Sequence, residues 1–404
     1  MALLPHCQHP ARPVALTGAK PVPCGDLIPN KKTIMSSALF SPIDLRGLSL
    51  PNRIVVSPMC QYSASDGNAT DWHLMHLGQL AISGSALVIV EATAVESRGR
   101  ITPNCLGLYS DENEAALAQV LDFCRRHGDA KMGIQLGHAG RKASSHTPAN
   151  GRHPLGEDEG AWQTVAPSPI PTSARRKPPH ALTADELKVM ANSFVAAAIR
   201  AERLGFDLIE LHMAHGYLLH EFLSPISNQR DDDYGGDIEN RMRFPLEVFE
   251  AVRAIWPEEK PLGVRISASD WVAGGWEIGD SIELANQLRE RGCDYICASS
   301  GGVSNDQKIV LGPGYQVPFA ASIRRHAHID TMAVGMILDP HHAEALVADG
   351  EADMVALARG MLYDPRWAWH AAETLGAEAA YPVQYERSRP SAWPEVFGRD
   401  KAAE

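Results

Sequence analysis

The chain has 404 residues, 45% of them hydrophobic and 21% charged, so it can bury the core of one large domain or two ordinary ones. Its net charge is −12, and its one short basic cluster, Arg175–Lys177, lies among prolines, which argues against nucleic-acid binding. Seven cysteines without a CxxC pair, and no apolar run near the ~18 residues of a membrane span, lead us to expect a reduced, cytoplasmic protein.

The first segment, residues 1–37, is rich in Pro, Ala and Lys and shows no sustained periodicity. It also lacks the apolar core of about 7 to 15 residues that a secretion signal carries. We therefore expect residues 1–37 to form a disordered extension, with Met35 as an alternative initiator. Residues 38–404 are expected to form the folded domain and a C-terminal tail.

From Leu39 onward, short apolar runs alternate with longer segments of helical period. The predicted strands are Ile54–Ser57, Ala86–Glu91, Met132–Leu136, Phe206–Leu211, Leu262–Ile266, Tyr295–Ala298, Met332–Val334 and Met354–Leu357. The predicted helices include Trp72–Ser83, Glu112–Arg126, Thr183–Leu204, Ile238–Ile255, Ser281–Arg291, Pro318–His326 and Pro340–Ala348. Thr183 and Glu186 match a capping box, and Gly205 follows the same helix as a C-cap would.

Repeated βα units of this number and length predict an α/β fold, a (β/α)8 TIM barrel with parallel strands and right-handed crossovers. A doubly wound open sheet would normally carry G-x-G-x-x-G after its first strand, and none follows Ile54–Ser57. Most inserted length lies between Gly137 and Ala181, after the third strand. Because it exceeds about 15 residues, it is either a lid or small subdomain, or a surface elaboration.

Two histidines and a tyrosine follow the apolar run Phe206–Leu211, at the end of a strand where a barrel carries its active site. On a continuing strand His212 and His215 would point to opposite faces, so their convergence requires the chain to leave strand geometry, which Gly216 would ease. The pair could bind zinc, although no third ligand is clear. It could also donate hydrogen bonds to a carbonyl or nitro oxygen that gains negative charge, or be structural. Tyr217 lies within reach of the same pocket.

Other strand ends carry polar and small residues. Gln135 and Arg265 lie in apolar strands, where burial without a partner costs roughly 1 to 3 kcal/mol, and together they suit the pyrimidine edge of a flavin. A structural ion pair is the alternative for Arg265. Cys60 is either a buried structural thiol or a residue that tunes a cofactor. Small residues and an arginine follow the last three predicted strands. They predict a site in which backbone N–H groups and the arginine side chain bind an anion, formed by Ser300, Gly301, Gly302, Gly335, Arg359 and Gly360.

Motifs spread over the whole folded chain now show a family resemblance. They are Leu39–Leu48 with Asn52-Arg53, Ser57–Tyr62, Gln135–Arg141, His212–Tyr217, Tyr234–Gly236 with Glu239–Arg241, Val264–Ser267 and Val383–Arg387. From Leu39 to about Trp393 the chain resembles the Old Yellow Enzyme family of FMN-dependent ene-reductases. The motif with Cys60 and, two residues later, Tyr62 resembles the one found in the thermophilic-like branch of this family, which includes xenobiotic reductases.

The resemblance implies a role for each matching residue. Bound FMN would be bordered by Ser57, Pro58, Met59 and Cys60, contacted at its ring by Ala92, Gln135 and Arg265, and held at its phosphate by Ser300, Gly301, Gly335, Ala358 and Arg359. The substrate would be bound by His212 and His215, lined by Tyr62 and protonated by Tyr217.

The implied activity is an NAD(P)H-dependent oxidoreductase acting on a small molecule, without a metal. NADPH or NADH would reduce the flavoprotein and be replaced by an α,β-unsaturated carbonyl or nitro compound, whose C=C bond is reduced. A nitrate-ester or nitroaromatic reductase is the alternative on the same scaffold. A flavin-binding protein without turnover and a zinc-dependent barrel hydrolase are alternatives from other classes. The resemblance also implies a homo-oligomer, a dimer or tetramer, in which Tyr385, Arg387 or Trp393 reaches the neighbouring site.

Overall fold

The computed structural model describes residues 37–393 and residue 396. The predicted extension therefore lies outside the described residues except for Ser37. The folded chain is tied down from its first described residues, because Ser37 Oγ and the backbone N–H groups of Ala38 and Leu39 all donate hydrogen bonds to the carboxylate of Glu344.

Eight parallel strands close into a barrel, which confirms the predicted (β/α)8 fold. In chain order the strands of the described residues are β1 (Ile43–Leu45), β2 (Leu48–Leu50), β3 (Ile54–Val56), β4 (Leu87–Ala94), β5 (Lys131–Gly137), β6 (Val165–Ala166), β7 (His180–Ala181), β8 (Leu208–Met213), β9 (Leu262–Ser267), β10 (Tyr295–Ser299), β11 (Asp330–Ala333) and β12 (Met354–Leu357). The barrel runs β3-β4-β5-β8-β9-β10-β11-β12 and closes between β12 and β3.

Helices follow the barrel strands as the periodicity predicts. They are α1 (Asp71–Ala81), α2 (Asp111–His127), α3 (Ala184–Arg203), α4 (Leu218–Leu223), α5 (Ile238–Ile255), α6 (Ile278–Glu290), α7 (Val317–Ala327), α8 (Pro340–Ala348), α9 (Arg359–Tyr363) and α10 (Trp367–Leu375). The capping box is confirmed, since Thr183 N donates to Glu186 Oε2 at 2.8 Å and Glu186 N donates to Thr183 Oγ1 at 3.3 Å. No helix within residues 37–393 is long and apolar enough to cross a membrane.

Side chains alternate along the barrel strands. In β8, Ile209 and Leu211 face the helices, whereas Leu208 faces the barrel interior. A β1–β2 hairpin that the sequence analysis did not predict adds Leu45 and Leu50 to the interior cluster and packs beneath the barrel. The same alternation places three residues of β8 on the inward face: Leu208, Glu210 and His212.

Strand boundaries at the site differ from the prediction by one to three residues, and the difference in β8 moves a site residue into the strand. β8 begins at Leu208 and runs to Met213, so His212 lies in the strand and not after it. The reason is the ladder with β9, in which His212 pairs with Arg265 and Met213 with Ile266. The inserted segment between Gly137 and Ala181 forms three short 3₁₀ turns and the parallel pair β6–β7, so it is a small ordered subdomain.

Candidate active site

His212, His215 and Tyr217 form one cluster at the carboxyl end of β8. The ring centroids of the two histidines lie 5.1 Å apart and those of His212 and Tyr217 lie 4.9 Å apart, with the rings nearly perpendicular in both pairs. The chain leaves strand geometry as predicted, with φ of 60° at His215 and 69° at Gly216. A Cβ on Gly216 would lie 2.2 Å from the carbonyl oxygen of Gly302, so a glycine is required there.

Both imidazoles are uncharged at neutral pH. Burial, followed by the positive charge of Arg265, lowers the pKa of His212 and of His215 well below 6.5. His212 Nδ1 accepts a hydrogen bond from the N–H of Ala214 at 3.2 Å, so its proton is on Nε2. His215 Nε2 lies 2.7 Å from Ser299 Oγ, and the N–H of His215 donates to Ser267 Oγ at 2.9 Å. The arrangement therefore presents two neutral imidazoles as hydrogen-bonding groups, with the positive charge of Arg265 nearby.

The hydroxyl of Tyr217 is protonated over the ordinary pH range. Burial raises the pKa of this phenol well above 10, and the neighbouring Cys60 and Tyr62 add to the shift. Lys142, which the sequence analysis did not single out, lies over the ring with Nζ 5.2 Å from its centroid. The same Nζ donates to the carbonyl oxygens of His215 (2.7 Å) and Gly302 (2.9 Å), so one buried cation joins the loops after β8 and β10. Burial lowers the pKa of Lys142 to about 8.

Gln135 and Arg265 lie on the inward faces of β5 and β9, on either side of β8. Gln135 Nε2 donates to Glu210 Oε1 at 2.7 Å, and Arg265 Nη1 donates only a long bond of 3.4 Å to Ser57 Oγ. Arg265 Nε is buried and has no hydrogen-bond partner among the described residues. A buried guanidinium left this open fits a polar ligand better than a completed ion pair.

The predicted flavin-ring segment after β3 lies beside this pair. Pro58, Met59 and Cys60 are half-buried, and Tyr62 takes φ of 53°. Burial and the carboxylate of Glu91 raise the pKa of Cys60 well above 9, so its thiol is protonated. The other predicted ring contact, Ala92, lies in β4 where the register with β5 shifts between Val90 and Thr93. A small cavity there brings together Ala92, His212 and Tyr217.

A cavity of about 150 Å³ opens beside Arg265. Its lining brings together five of the predicted cofactor residues: Ser57, Arg265, Gly335, Ala358 and Arg359. Ser299 at the end of β10 also lines the cavity, together with Tyr315 and Gln316, which the sequence analysis did not name. Because Ser299 also contacts His215, this cavity and the His–Tyr cluster belong to one continuous site.

Ser300 and Gly301 do not line this cavity. Ser300 Oγ donates to Gln316 Oε1 at 2.6 Å, and the N–H of Gly301 donates to Ser269 O at 2.7 Å. Gly302 N–H is likewise taken, by Gln307 Oε1 at 2.7 Å. The backbone N–H groups after β10 that were expected to be free for an anion are therefore already hydrogen-bonded within the protein. Of the predicted anion-binding site, only Gly335 and Ala358–Gly360 line the cavity.

Residues missed by the sequence analysis share a feature, which is a charged or polar type inside an apolar run or next to a glycine-rich loop. They are Lys142, Glu210 and Glu91. Glu210 stands within the run Phe206–Leu211, and that was a signal available in the sequence. Within residues 37–393 no three His, Cys, Asp or Glu side chains are grouped so as to hold a metal ion.

Comparison with known proteins identifies the family of this chain. The family model of the NADH:flavin oxidoreductase / NADH oxidase family matches residues 38–378. An NADPH dehydrogenase of Geobacillus sp. is 45% identical over 355 residues, covering 87% of this chain and 99% of that protein. An NADPH dehydrogenase of Bacillus subtilis is 44% identical over 355 residues with the same coverage.

Solved structures give the same family. Morphinone reductase is 28% identical with a TM-score of 0.71, covering 87% of this chain and 92% of that one. Its complex with tetrahydroNAD is 27% identical with a TM-score of 0.69, covering 85% and 92%. This chain therefore belongs to the NADH:flavin oxidoreductase / NADH oxidase family, the Old Yellow Enzyme family of FMN-dependent oxidoreductases.

Proposed function

We propose that this protein is an NADPH-dependent ene-reductase that reduces the activated C=C bond of α,β-unsaturated carbonyl or nitro compounds. The observation that carries the proposal is the neutral pair formed by the buried His212 and the half-buried His215, placed against a protonated Tyr217 at the end of β8. The two imidazoles are neutral hydrogen-bond donors, and the phenol of Tyr217 is a weak acid in the same pocket. This combination suits a reaction in which an oxygen atom gains negative charge and a carbon atom then accepts a proton.

The residues present fit FMN. The unpartnered Nε of Arg265 and the amide of Gln135 offer a donor and an acceptor at the base of the site, and Arg359 and Gly335 line a cavity beside them. In this proposal the flavin ring is bordered or contacted by Ser57, Pro58, Met59, Cys60, Ala92, Gln135 and Arg265. Its phosphate would be held by Gly335, Ala358 and Arg359. Ser300 and Gly301 would stabilise the loop after β10 through their hydrogen bonds within the protein. Bound FMN supplies the hydride chemistry, with NADPH as the source of electrons.

The imidazoles bind and polarise the substrate. The Nε2–H of His212 donates a hydrogen bond to the carbonyl or nitro oxygen. His215, which lies in the turn directly after β8, contributes the second hydrogen bond to this oxygen. Since neither ring carries a charge beforehand, the hydrogen bonds strengthen as the oxygen becomes negative. Tyr62 lines the pocket, and the hydroxyl of Tyr217 gives its proton to the α-carbon.

The test is an anaerobic absorption spectrum of the purified protein, recorded before and after NADPH and then after 2-cyclohexenone. We expect a flavin band near about 450 nm that bleaches with NADPH and returns with the enone. A yellow protein that is bleached by NADPH but restored only by a nitrate ester or a nitroaromatic compound would favour the xenobiotic reductase alternative. A yellow protein that ignores all these reagents would contradict enzymatic turnover.

We also propose that the protein is a homo-oligomer. Tyr385 packs on its own chain, with its ring centroid 6.2 Å from that of Trp369 and Arg366 over the ring at 5.6 Å. Arg387 is exposed, and two large apolar side chains are also exposed, Val383 at 86% and Tyr363 at 94%. These features favour Arg387 as the residue that reaches a neighbouring subunit. Sedimentation of the native protein and of R387A, with FMN reoxidation by 2-cyclohexenone as the second readout, tests this: a monomer would contradict it.

A further inference from the structure

Glu210 is a carboxyl side chain enclosed in the barrel that the proposed reaction does not use. It lies on the inward face of β8 between Leu208 and His212, and none of its surface is exposed. Burying a carboxylate without partners is strongly unfavourable, so its environment must supply them. The structure shows partners on both sides.

The first partner is on β5. Gln135 is the residue paired with Glu210 in the ladder, and its Nε2 donates to Glu210 Oε1 at 2.7 Å. An amide nitrogen can only donate, whereas a turned amide would place its oxygen against a carboxylate oxygen. Glu210 therefore determines which end of the Gln135 amide faces it, and leaves the amide oxygen for a ligand that donates.

The second partner reaches Glu210 across β9. Gly263 is the β9 residue paired with Glu210, and a Cβ there would lie 2.2 Å from a ring carbon of Tyr295. Because that side chain is missing, Tyr295 of β10 extends over Gly263 and donates its hydroxyl to Glu210 Oε2 at 3.3 Å. Each carboxyl oxygen thus accepts one hydrogen bond.

Arg265 lies two residues after Gly263 along β9, on the same inward face, and it is the residue paired with His212. Burial raises the pKa of Glu210, while the charge of Arg265 and the bonds from Gln135 and Tyr295 act to lower it. Two donors and one nearby cation favour the ionised form of the carboxyl group. In the ionised state the negative charge of Glu210 partly offsets the positive charge of the Arg265 guanidinium.

We propose that Glu210 is a positioning residue for the flavin, which orients the Gln135 amide and, as a carboxylate, holds the reduction potential of bound FMN below the value that Arg265 alone would set. A reduced flavin carries negative charge that a nearby cation stabilises, so a carboxylate behind that cation weakens the effect. The proposal rests on the cofactor part of the proposed function, and it holds whether or not the enzyme reduces alkenes.

The test uses the FMN-loaded protein and its E210Q variant, with the midpoint potential measured against a reference dye. Glu210→Gln removes the charge and also allows the Gln135 amide to turn. We expect the ratio of reduced to oxidised flavin at a fixed ambient potential to rise about tenfold, which corresponds to a shift of the midpoint potential of about +30 mV for two electrons. We also expect FMN to bind more weakly to E210Q than to the wild type.

Glu221 provides the matched control. It is equally buried, and burial raises its pKa to about 8, so at pH 7 it is mostly neutral and E221Q changes little charge. E221Q should leave the potential unchanged. E210D keeps the charge but is too short to reach Gln135, so it should keep the potential and weaken FMN binding.

A measurement on the wild type covers the case in which E210Q does not fold. Carbon-13 NMR of carboxyl-labelled glutamate should show a buried, ionised carboxylate that neither E221Q nor E91Q removes, since Glu91 and Glu221 are the other buried glutamates among the described residues. The proposal is overturned by an E210Q protein with unchanged potential and FMN affinity, or by a protonated Glu210 in the wild type at pH 7.

Discussion

Lys142 lies over the ring of Tyr217, with Nζ 5.2 Å from the ring centroid, and holds the same loop by donating to the carbonyl oxygen of His215 at 2.7 Å. Its second bond, to the carbonyl oxygen of Gly302, ties that loop to the one after β10. The inserted segment after β5 therefore contributes to the placement of two proposed catalytic residues, which gives this segment a function beyond covering the surface.

Replacing Lys142 with Met should destabilise the protein. The substitution leaves the part-buried carbonyl oxygens of His215 and Gly302 without the Lys142 donor, and each such loss costs up to about 1 to 3 kcal/mol. Urea unfolding of K142M should show a lower free energy of unfolding. K188M is the control, because Lys188 is exposed and its pair with Asp185 lies on the surface, so its effect should stay within about 0.5 kcal/mol. Equal stability of K142M and wild type would contradict the bridging role.

Replacing Tyr217 with Phe should slow alkene reduction and spare the reductive half-reaction. The ring and its contacts with His212 and Lys142 remain, while the proton donor is lost. We expect a decrease of about 10²-fold in flavin reoxidation by 2-cyclohexenone, within the range for a lost general acid. Stopped-flow measurement of both half-reactions checks this, and an equal loss in both would point to a structural role for the hydroxyl.

The pH dependence of catalysis should show no histidine titration near 6.5. His212 and His215 have a pKa lowered well below 6.5, so both stay neutral in the folded protein as the pH falls through that value. We expect kcat/KM for 2-cyclohexenone to be level between about pH 6 and 8 on this account. Below pH 6.5 the unfolded chain binds protons that the folded chain does not, so these histidines make folding less favourable as the pH falls. An activity loss with a midpoint near 6.5 that H215N abolishes would disprove their neutrality.

Gly216→Ala tests the turn that brings the cluster together. Gly216 has φ of 69°, and the added Cβ would lie 2.2 Å from Gly302 O, whereas Gly236 has φ of 84° with nothing within 4 Å of its Cβ position. Both variants carry the cost of an alanine at positive φ, about 1 kcal/mol. Only G216A adds a backbone clash, so it should lose stability beyond G236A and lose alkene reduction. Thermal unfolding of the pair measures the difference, and similar values would show that the loops separate easily.

The barrel could be predicted because its signals are local. Each apolar run is followed by a helical segment, and Thr183 and Glu186 cap a helix through atoms three residues apart. The strand boundaries were less accurate, since β8 extends to Met213 only because Arg265 and Ile266 of β9 continue the ladder. The β1–β2 hairpin was missed because its strands are three residues each, too short for a periodic pattern.

The sequence by itself determined the fold class, the order of the strands and the position of the His212–Tyr217 cluster at a strand end, since alternation and glycine placement act over a few residues. The tertiary structure decided which side chains meet. Lys142 contacts carbonyl groups 73 and 160 residues away, and Glu210 bonds to Gln135 and Tyr295 at separations of 75 and 85 residues. Those contacts exist only after the barrel closes, because closure sets the register that brings residues of β5, β8 and β10 to one level.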